Sequence, residues 1–411
     1  MNIPRPETVF TPRAAAINPD MYVERKHLED LLVSALKGKL HIVVQGESGT
    51  GKSWLYKKVL HDLKAHYVIV NLANASRFGS ITAALKNAVD RNGAAVKTGF
   101  EEEKTAGIAA VVASAELTHT GQFVIGQPDP FEVCLGSLRC AAGSAPAALV
   151  LDNLEAAFTD PLLKELADLL ILCDDEVYAR FGVHIVIVGA TKGIKEYYYR
   201  TPHHRTVCNR LYELPEVARL SKTESDELLR RGLLLQLQYR IADFDDVAKH
   251  VAWITDRVPQ MLHEYGLELA NLAEENSRVI DADLLKTADW SWMFRNLTQP
   301  YDAIEHHMNR RETRTGRRNQ ALLALSRIDT EFFKSQRVEE LLRAAFPLST
   351  AKTTLNMPQI LASFVKGEYP LVKRSPKGDA YTFVDPRYRV VLRLMLTVSP
   401  EEKVLKRALY R

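Results

Sequence analysis

Cysteine is scarce in this chain: four among 411 residues (Cys134, Cys140, Cys173 and Cys208), with no paired spacing. A disulfide-held scaffold is excluded on that count, and the four are expected as reduced, mostly buried thiols of a cytoplasmic protein. Long apolar runs are also missing. No segment reaches the roughly 18 uncharged apolar residues of a membrane helix, so no membrane partner is expected. Met1 to Phe10 has no apolar stretch behind a basic start, and no secretory signal is read there. Internal repeats and low-complexity tracts are absent. Net charge is low, at +3. The small total conceals an asymmetry. From Gln299 onward there are 21 lysines and arginines against 12 acids, and the rest of the chain is net acidic. A basic C-terminal third points either to an anionic partner, nucleic acid first, or to a solvated basic surface.

What is present is a soluble composition, 46% hydrophobic and 26% charged, in a chain too long for one ordinary core. Residues 1–20, rich in proline and alanine, read as an extended arm. Met21 to Leu36 has helical period. Short apolar runs at His41–Gln45, Tyr67–Asn71, Ala147–Leu151 and Val183–Val188 alternate with helical segments, and Arg210–Leu214 is a fifth, short candidate strand. Strands that lack clean in/out alternation and are separated by helices predict an α/β core with a parallel sheet covered on both faces, over residues 21–220. An Ala/Gly-rich insertion occupies about 93–128, with Phe123, Val124 and Ile125 at an expected hairpin. Residues 221–298 carry an all-helical signal, and 299–318 are read as a basic linker. In 319–411, three short helices (Gln320–Arg327, Arg337–Ala345, Pro358–Lys366) precede a hairpin around Ser375–Asp379. That order predicts a winged-helix domain.

The chemistry concentrates at Gly46-Glu47-Ser48-Gly49-Thr50-Gly51-Lys52-Ser53. A glycine loop between an apolar strand and a helix lets successive backbone N–H groups point at phosphate oxygens, with the helix dipole behind them. Lys52 is expected to reach the β- and γ-phosphates and Ser53 to offer its hydroxyl to Mg²⁺. The nucleotide-binding stretch therefore runs from Gly46 to Ser53 and on to Trp54, with ATP and Mg²⁺ as cofactors. The second metal group is Asp152, at the end of Leu149-Val150-Leu151. Asn153 follows it and cannot take a proton. Glu155 is the nearest carboxylate: it either orients the attacking water from an unusual position or is a solvated helix-start residue, and hydrolysis is then slow. At the next strand tip Thr191 is the candidate for touching the γ-phosphate or the water, with Lys192 second and ordinary turn chemistry as the alternative.

The succession of a Tyr22-Val-Glu-Arg25 box, Walker A, Walker B, a polar strand tip, an Arg-rich loop, a helical lid and a winged helix resembles AAA+ ATPases. Within them it resembles prokaryotic relatives of the origin-recognition-complex group and STAND-type signalling ATPases. The resemblance implies that Tyr22 and Val23 pack near adenine and that Thr191 is sensor 1. It also implies that Arg210, or else Arg205, is an arginine finger acting on a neighbouring subunit's ATP, and that Arg257 meets the γ-phosphate as sensor 2. It implies an ATP hydrolase that self-associates. Asn153 departs from the family's usual acid. Partners stay open: DNA through Lys373, Arg374, Lys377 and the arginines 310, 311, 314, 317 and 318, or a protein effector bound by the winged helix and the insertion. The pairs His203-His204 (with Cys208) and His306-His307 lack the partner set that zinc requires.

Overall fold

The computed structural model describes residues 3–92, 129–189, 193–308, 316–375 and 378–407. The insertion at 93–128, Thr191, Lys192, Arg310, Arg311, Arg314 and Lys377 lie outside the described residues. The chain divides into two compact units, Arg13–Leu220 and Met1–Pro12 with Ser221–Arg411.

In Arg13–Leu220 five strands form one parallel sheet: β1 His41–Gln45, β2 His66–Asn71, β3 Ala147–Asp152, β4 Val183–Gly189 and β5 Leu211–Glu213. Their order is β2-β3-β4-β1-β5. Alternate residues of one strand feed opposite cores. Ile42, Val44, Val150, Val186 and Val188 face the helices Lys26–Lys37 and Lys52–Asp62. Val43, Leu149, Leu151, Ile185 and Ile187 face Pro130–Ala142 and Asp160–Leu172. Both faces are buried, so the period-2 alternation is apolar on each side and invisible as a polar pattern. The register pairs Gln45 with Gly189 and Leu151 with Ile187. The C-terminal ends of β1 and β3 therefore flank the end of β4, two strand spacings or about 10 Å apart. The phosphate loop after β1 and Asp152 at the end of β3 stand at this edge.

The second unit is mostly helical. A capping box at Ser221 and Glu224 starts Lys222–Leu229, which runs into a π-helical turn at Arg230–Gln236. Phe244–Ile254, Pro259–Glu275 and Ala282–Asn296 follow. A two-residue parallel pairing of Arg240–Ile241 with Val279–Ile280 interrupts the all-helical expectation. Thr298–His307, read from sequence as linker, is a helix that buries Pro300, Ala303, Ile304 and His307. Its polar composition hid that apolar stripe. Helices Arg317–Ser326, Ser335–Ala345 and Met357–Val365 then lead to an antiparallel hairpin, Val372–Arg374 with Tyr381–Phe383.

Two elements were not anticipated. Arg387–Met395 is a buried helix followed by a second hairpin, Leu396–Val398 with Val404–Lys406. Its three arginines look like surface, yet Arg389 and Arg393 are buried against Asp256. Part of the basic excess of this third is thus neutralised inside the fold. The N-terminal residues, expected as an extended arm, form a helical turn at Pro6–Val9, and Phe10 is fully buried.

Candidate nucleotide site

Gly49 and Gly51 adopt left-handed backbone, φ 80° and 89°, where a side chain would be strained. Gly51 is also the N-cap of Lys52–Asp62. Gly46 has a different reason to lack a side chain. The segment after β5 runs beside β1, Val217 N donating to Gln45 O at 2.8 Å, and a Cβ on Gly46 would sit 2.4 Å from Val217 O. The loop is therefore fixed from outside as well as by its own turns. Lys52 Nζ donates to Gly46 O and Glu47 O, each at 2.8 Å. Burial lowers its pKa, while the charges of Glu155, Asp152, Glu47 and Glu216 act in the opposite sense.

The metal-side residues meet as well. Ser53 Oγ donates to Asp152 Oδ2 at 3.5 Å, so a hydroxyl and a carboxylate, both oxygen donors of the kind Mg²⁺ takes, stand side by side. This donor set fits Mg²⁺: a hydroxyl and a carboxylate at the head of a phosphate cradle. Asn153 takes left-handed backbone (φ 63°), with its N–H donating to Asp152 Oδ1 at 2.8 Å. Asparagine tolerates that conformation better than most residues. The turn brings Glu155 back along the sheet edge. A Cβ built on Gly189 would lie 3.0 Å from Glu155 Oε2, and Glu155 exerts the largest of the charge effects on Lys52. The structure thus brings Gly46–Ser53, Asp152 and Glu155 together.

Other sequence candidates stand elsewhere. Tyr22 is buried, its hydroxyl donating to Glu29 Oε1 at 2.7 Å, with Lys58 of the P-loop helix over its ring at 5.9 Å. Val23 is half-buried beside it. Trp54 donates from Nε1 to Ala14 O at 3.4 Å. Arg210 precedes β5, whose first residue pairs with His41 at the N-terminal end of β1, the sheet edge opposite the P-loop. Its guanidinium is tied to Asp174 Oδ2 at 2.6–2.7 Å and to Thr206 O at 2.9 Å. Arg205 is exposed, lying over the Tyr199 ring at 5.0 Å. Arg257 belongs to the other unit, in a turn where it and Asp256 both have positive φ, 56° and 54°.

Three participants escaped the sequence reading. Arg219 grips Glu47 of the loop with three bonds of 2.8–3.0 Å from Nε and Nη2 to a largely buried carboxylate. Nothing local links positions 172 residues apart. Glu216 adds charge near Lys52. Tyr56 donates to Asp152 Oδ2 at 3.1 Å. Its spacing was legible, because it follows Ser53 by three residues on the same helix face.

Residues 35–197 match the family model described as AAA domain. Among curated proteins none matches. The chain is similar in structure to the Walker-type ATPase of Pyrococcus abyssi, at 13% identity, TM-score 0.54, over 94% of this chain and 99% of that one. It is likewise similar to the ORC2 protein of Aeropyrum pernix in its ADP form, at 13% identity, TM-score 0.50, over 94% and 96% of the two chains. Loop, strand order and family match agree: residues 35–197 carry an AAA domain with a P-loop, and the chain's fold is similar to those of the Walker-type ATPase and the ORC2 protein.

Proposed function

We propose that the chain binds Mg²⁺-ATP at Gly46–Ser53, hydrolyses it slowly, and uses the nucleotide state to control self-assembly and contact with DNA. The observation that carries the reading is the meeting of Lys52, Ser53, Asp152 and Glu155 at one sheet edge. Lys52 and the loop N–H groups hold phosphate, Ser53 and Asp152 hold the cation, and Glu155 is the carboxylate available to orient water. A bound Mg²⁺ supplies neutralisation of phosphate charge. Asn153, unable to accept a proton, is the reason for slow turnover. Tyr22 and Val23 are assigned to the base side and Arg257 to the γ-phosphate by resemblance, Thr191 by its place at the strand tip, and Trp54 by its place next to the loop.

An arginine finger for a neighbouring subunit falls to Arg205 or Arg210. Arg205 is exposed, with its Nε donating to Tyr199 O at 3.2 Å, whereas Arg210 would have to leave Asp174. DNA contact is assigned to the C-terminal third, read as a winged helix, through Lys373 and Arg374, both exposed on its hairpin. A second reading, a signalling ATPase that docks a protein effector, is favoured by helix Met357–Val365, which has no lysine or arginine and leaves Pro358 and Gln359 exposed.

The test is ATP binding by Lys52→Ala. Loss is expected, and unchanged affinity refutes the assignment. Titration of fluorescent duplex DNA at two salt concentrations decides between partners. Salt-sensitive binding that weakens in Lys373→Ala/Arg374→Ala supports DNA, and no binding at low salt rejects it.

A further inference from the structure

The phosphate loop carries a carboxylate of its own. Glu47 follows the first glycine of Gly46–Ser53, among neighbours that are glycines and hydroxyl residues. Its charge reaches the cradle. Burial lowers the Lys52 pKa, and Glu47 is one of four carboxylates, with Glu155, Asp152 and Glu216, whose charges act the other way. A negative charge felt by the phosphate lysine is felt with opposite sign by a phosphate beside that lysine. Left alone, Glu47 repels the ligand that the loop is shaped to hold.

Arg219 meets that charge. Its Nε and Nη2 donate to Glu47 Oε2 at 2.9 and 2.8 Å, and Nη2 donates to Oε1 at 3.0 Å. The two side chains are 12% and 16% exposed, so water screens the pair little. The arginine is placed by the main chain around it. Val217 N donates to Gln45 O at 2.8 Å, Arg25 Nη1 donates to Ala218 O at 3.0 Å, and Leu220 is buried. Glu47 is tied from its other end, where its carbonyl accepts from Lys52 Nζ and Thr50 Oγ1, each at 2.8 Å. One residue therefore joins the cradle lysine to Arg219, and all of these groups belong to the unit Arg13–Leu220. As a stabilising device a buried ion pair is poor, often no better than apolar side chains in its place. The effect of this one falls on the cradle.

We propose that Arg219 is a positioning residue for nucleotide binding: it cancels and fixes the Glu47 carboxylate, so that the loop accepts a polyphosphate. The inference rests on the reading that Gly46–Ser53 bind ATP. It makes affinity depend on the charge of Glu47 and on the charge of the nucleotide, beyond the shape of the loop.

The experiment uses the full chain and measures ATP and ADP affinity by calorimetry with Mg²⁺ at two salt concentrations. The proteins are wild type, Arg219→Ala, Arg219→Gln, Arg219→Ala/Glu47→Gln and Lys52→Ala. Arg219→Ala is expected to weaken ATP about tenfold and ADP about threefold, because the magnesium complex of ATP carries one more negative charge for Glu47 to repel. Added salt should narrow the loss. The double variant removes the carboxylate as well and should recover most of the ATP affinity lost in Arg219→Ala. A lost structural brace is not returned by a second deletion, so the recovery separates charge from scaffolding. If Arg219→Ala does not fold, Arg219→Gln takes its place in every comparison. ATP affinity within about twofold of wild type in the folded single variant, the range of an ordinary surface substitution, overturns the proposal. So does a double variant that binds ATP no better than the single one, which marks Arg219 as a brace only. If Lys52→Ala binds ATP like wild type, the ATP reading fails instead, which is a different pattern.

Discussion

Asp256→Asn is the sharpest perturbation of the helical unit. The Asp256 carboxylate is 8% exposed, and it meets two guanidinium groups that are 1% and 2% exposed: Arg389 Nη2 at 2.5 Å and Arg393 Nη1 at 2.9 Å. The arginines are further held by main-chain oxygens. Arg393 donates to Ser326 O and Trp253 O at 2.8 and 2.6 Å, and Arg389 to Ile328 O at 3.2 Å. Asparagine keeps the shape, and it tolerates the left-handed φ of 54° nearly as well as aspartate, so backbone strain is unchanged. What disappears is a negative charge facing two buried cations. Breaking a buried pair by removing one partner costs about 3–5 kcal/mol, because the remaining charge stays desolvated. The carbonyl bonds soften that cost, and the second arginine raises it. For a unit of this size each kcal/mol lowers Tm by about 2–4 °C, so a drop of roughly 6–20 °C is expected.

Trp253, Trp290 and Trp292, three of the four tryptophans, belong to this unit, and Trp253 lies 4.0 Å below the Arg393 guanidinium. Tryptophan emission during urea and thermal unfolding therefore follows the right transition. The triple variant Asp256→Leu/Arg389→Met/Arg393→Met should return most of the loss, since apolar replacement of a whole buried ion cluster is often neutral or better. A loss under about 0.5 kcal/mol in Asp256→Asn, the scale of an ordinary surface change, refutes the claim that the carboxylate holds these arginines.

Other outcomes follow from single positions. Burial pushes His263 down from 6.5 to about 4. Between those values the unfolded chain binds a proton that the folded unit refuses, so stability falls as pH drops from 6.5 toward 4. The slope is about 1.4 kcal/mol per pH unit for this group, and His263→Gln should flatten it in urea titrations at pH 7.5 and 5. Gly46→Ala places a methyl 2.4 Å from Val217 O, a backbone atom that cannot rotate away. It should cost about 1–3 kcal/mol and weaken ATP binding, measured by calorimetry, and near-wild-type values would mean that the Val217 segment yields. Burial pushes the Cys134 and Cys173 thiols up to about 12, while Cys140 is exposed. Thiol titration of the native chain should modify Cys140 first and reach Cys134 and Cys173 only on unfolding.

Sequence alone determined the glycine loop between strand and helix, the aspartate closing an apolar strand, and the parallel sheet. Each rests on information within a few residues: glycine spacing, an apolar run ending in a carboxylate, and strands alternating with helices. The capped helices and the hairpin of the last third were legible for the same reason. Glu155 was visible as a carboxylate near Asp152. Its approach to Lys52 required the left-handed turn at Asn153, which composition does not announce. Only the tertiary structure decided the contacts made across long separations. Arg219 on Glu47, Val217 against Gly46, Arg389 and Arg393 around Asp256, and Phe10 between Gly232 and Gly266 all join residues whose local sequence has no trace of the partner. Charge misled most there. An arginine on a helix reads as surface until the fold supplies a buried carboxylate, and a polar stretch such as Thr298–His307 reads as linker until its narrow apolar stripe finds a neighbour.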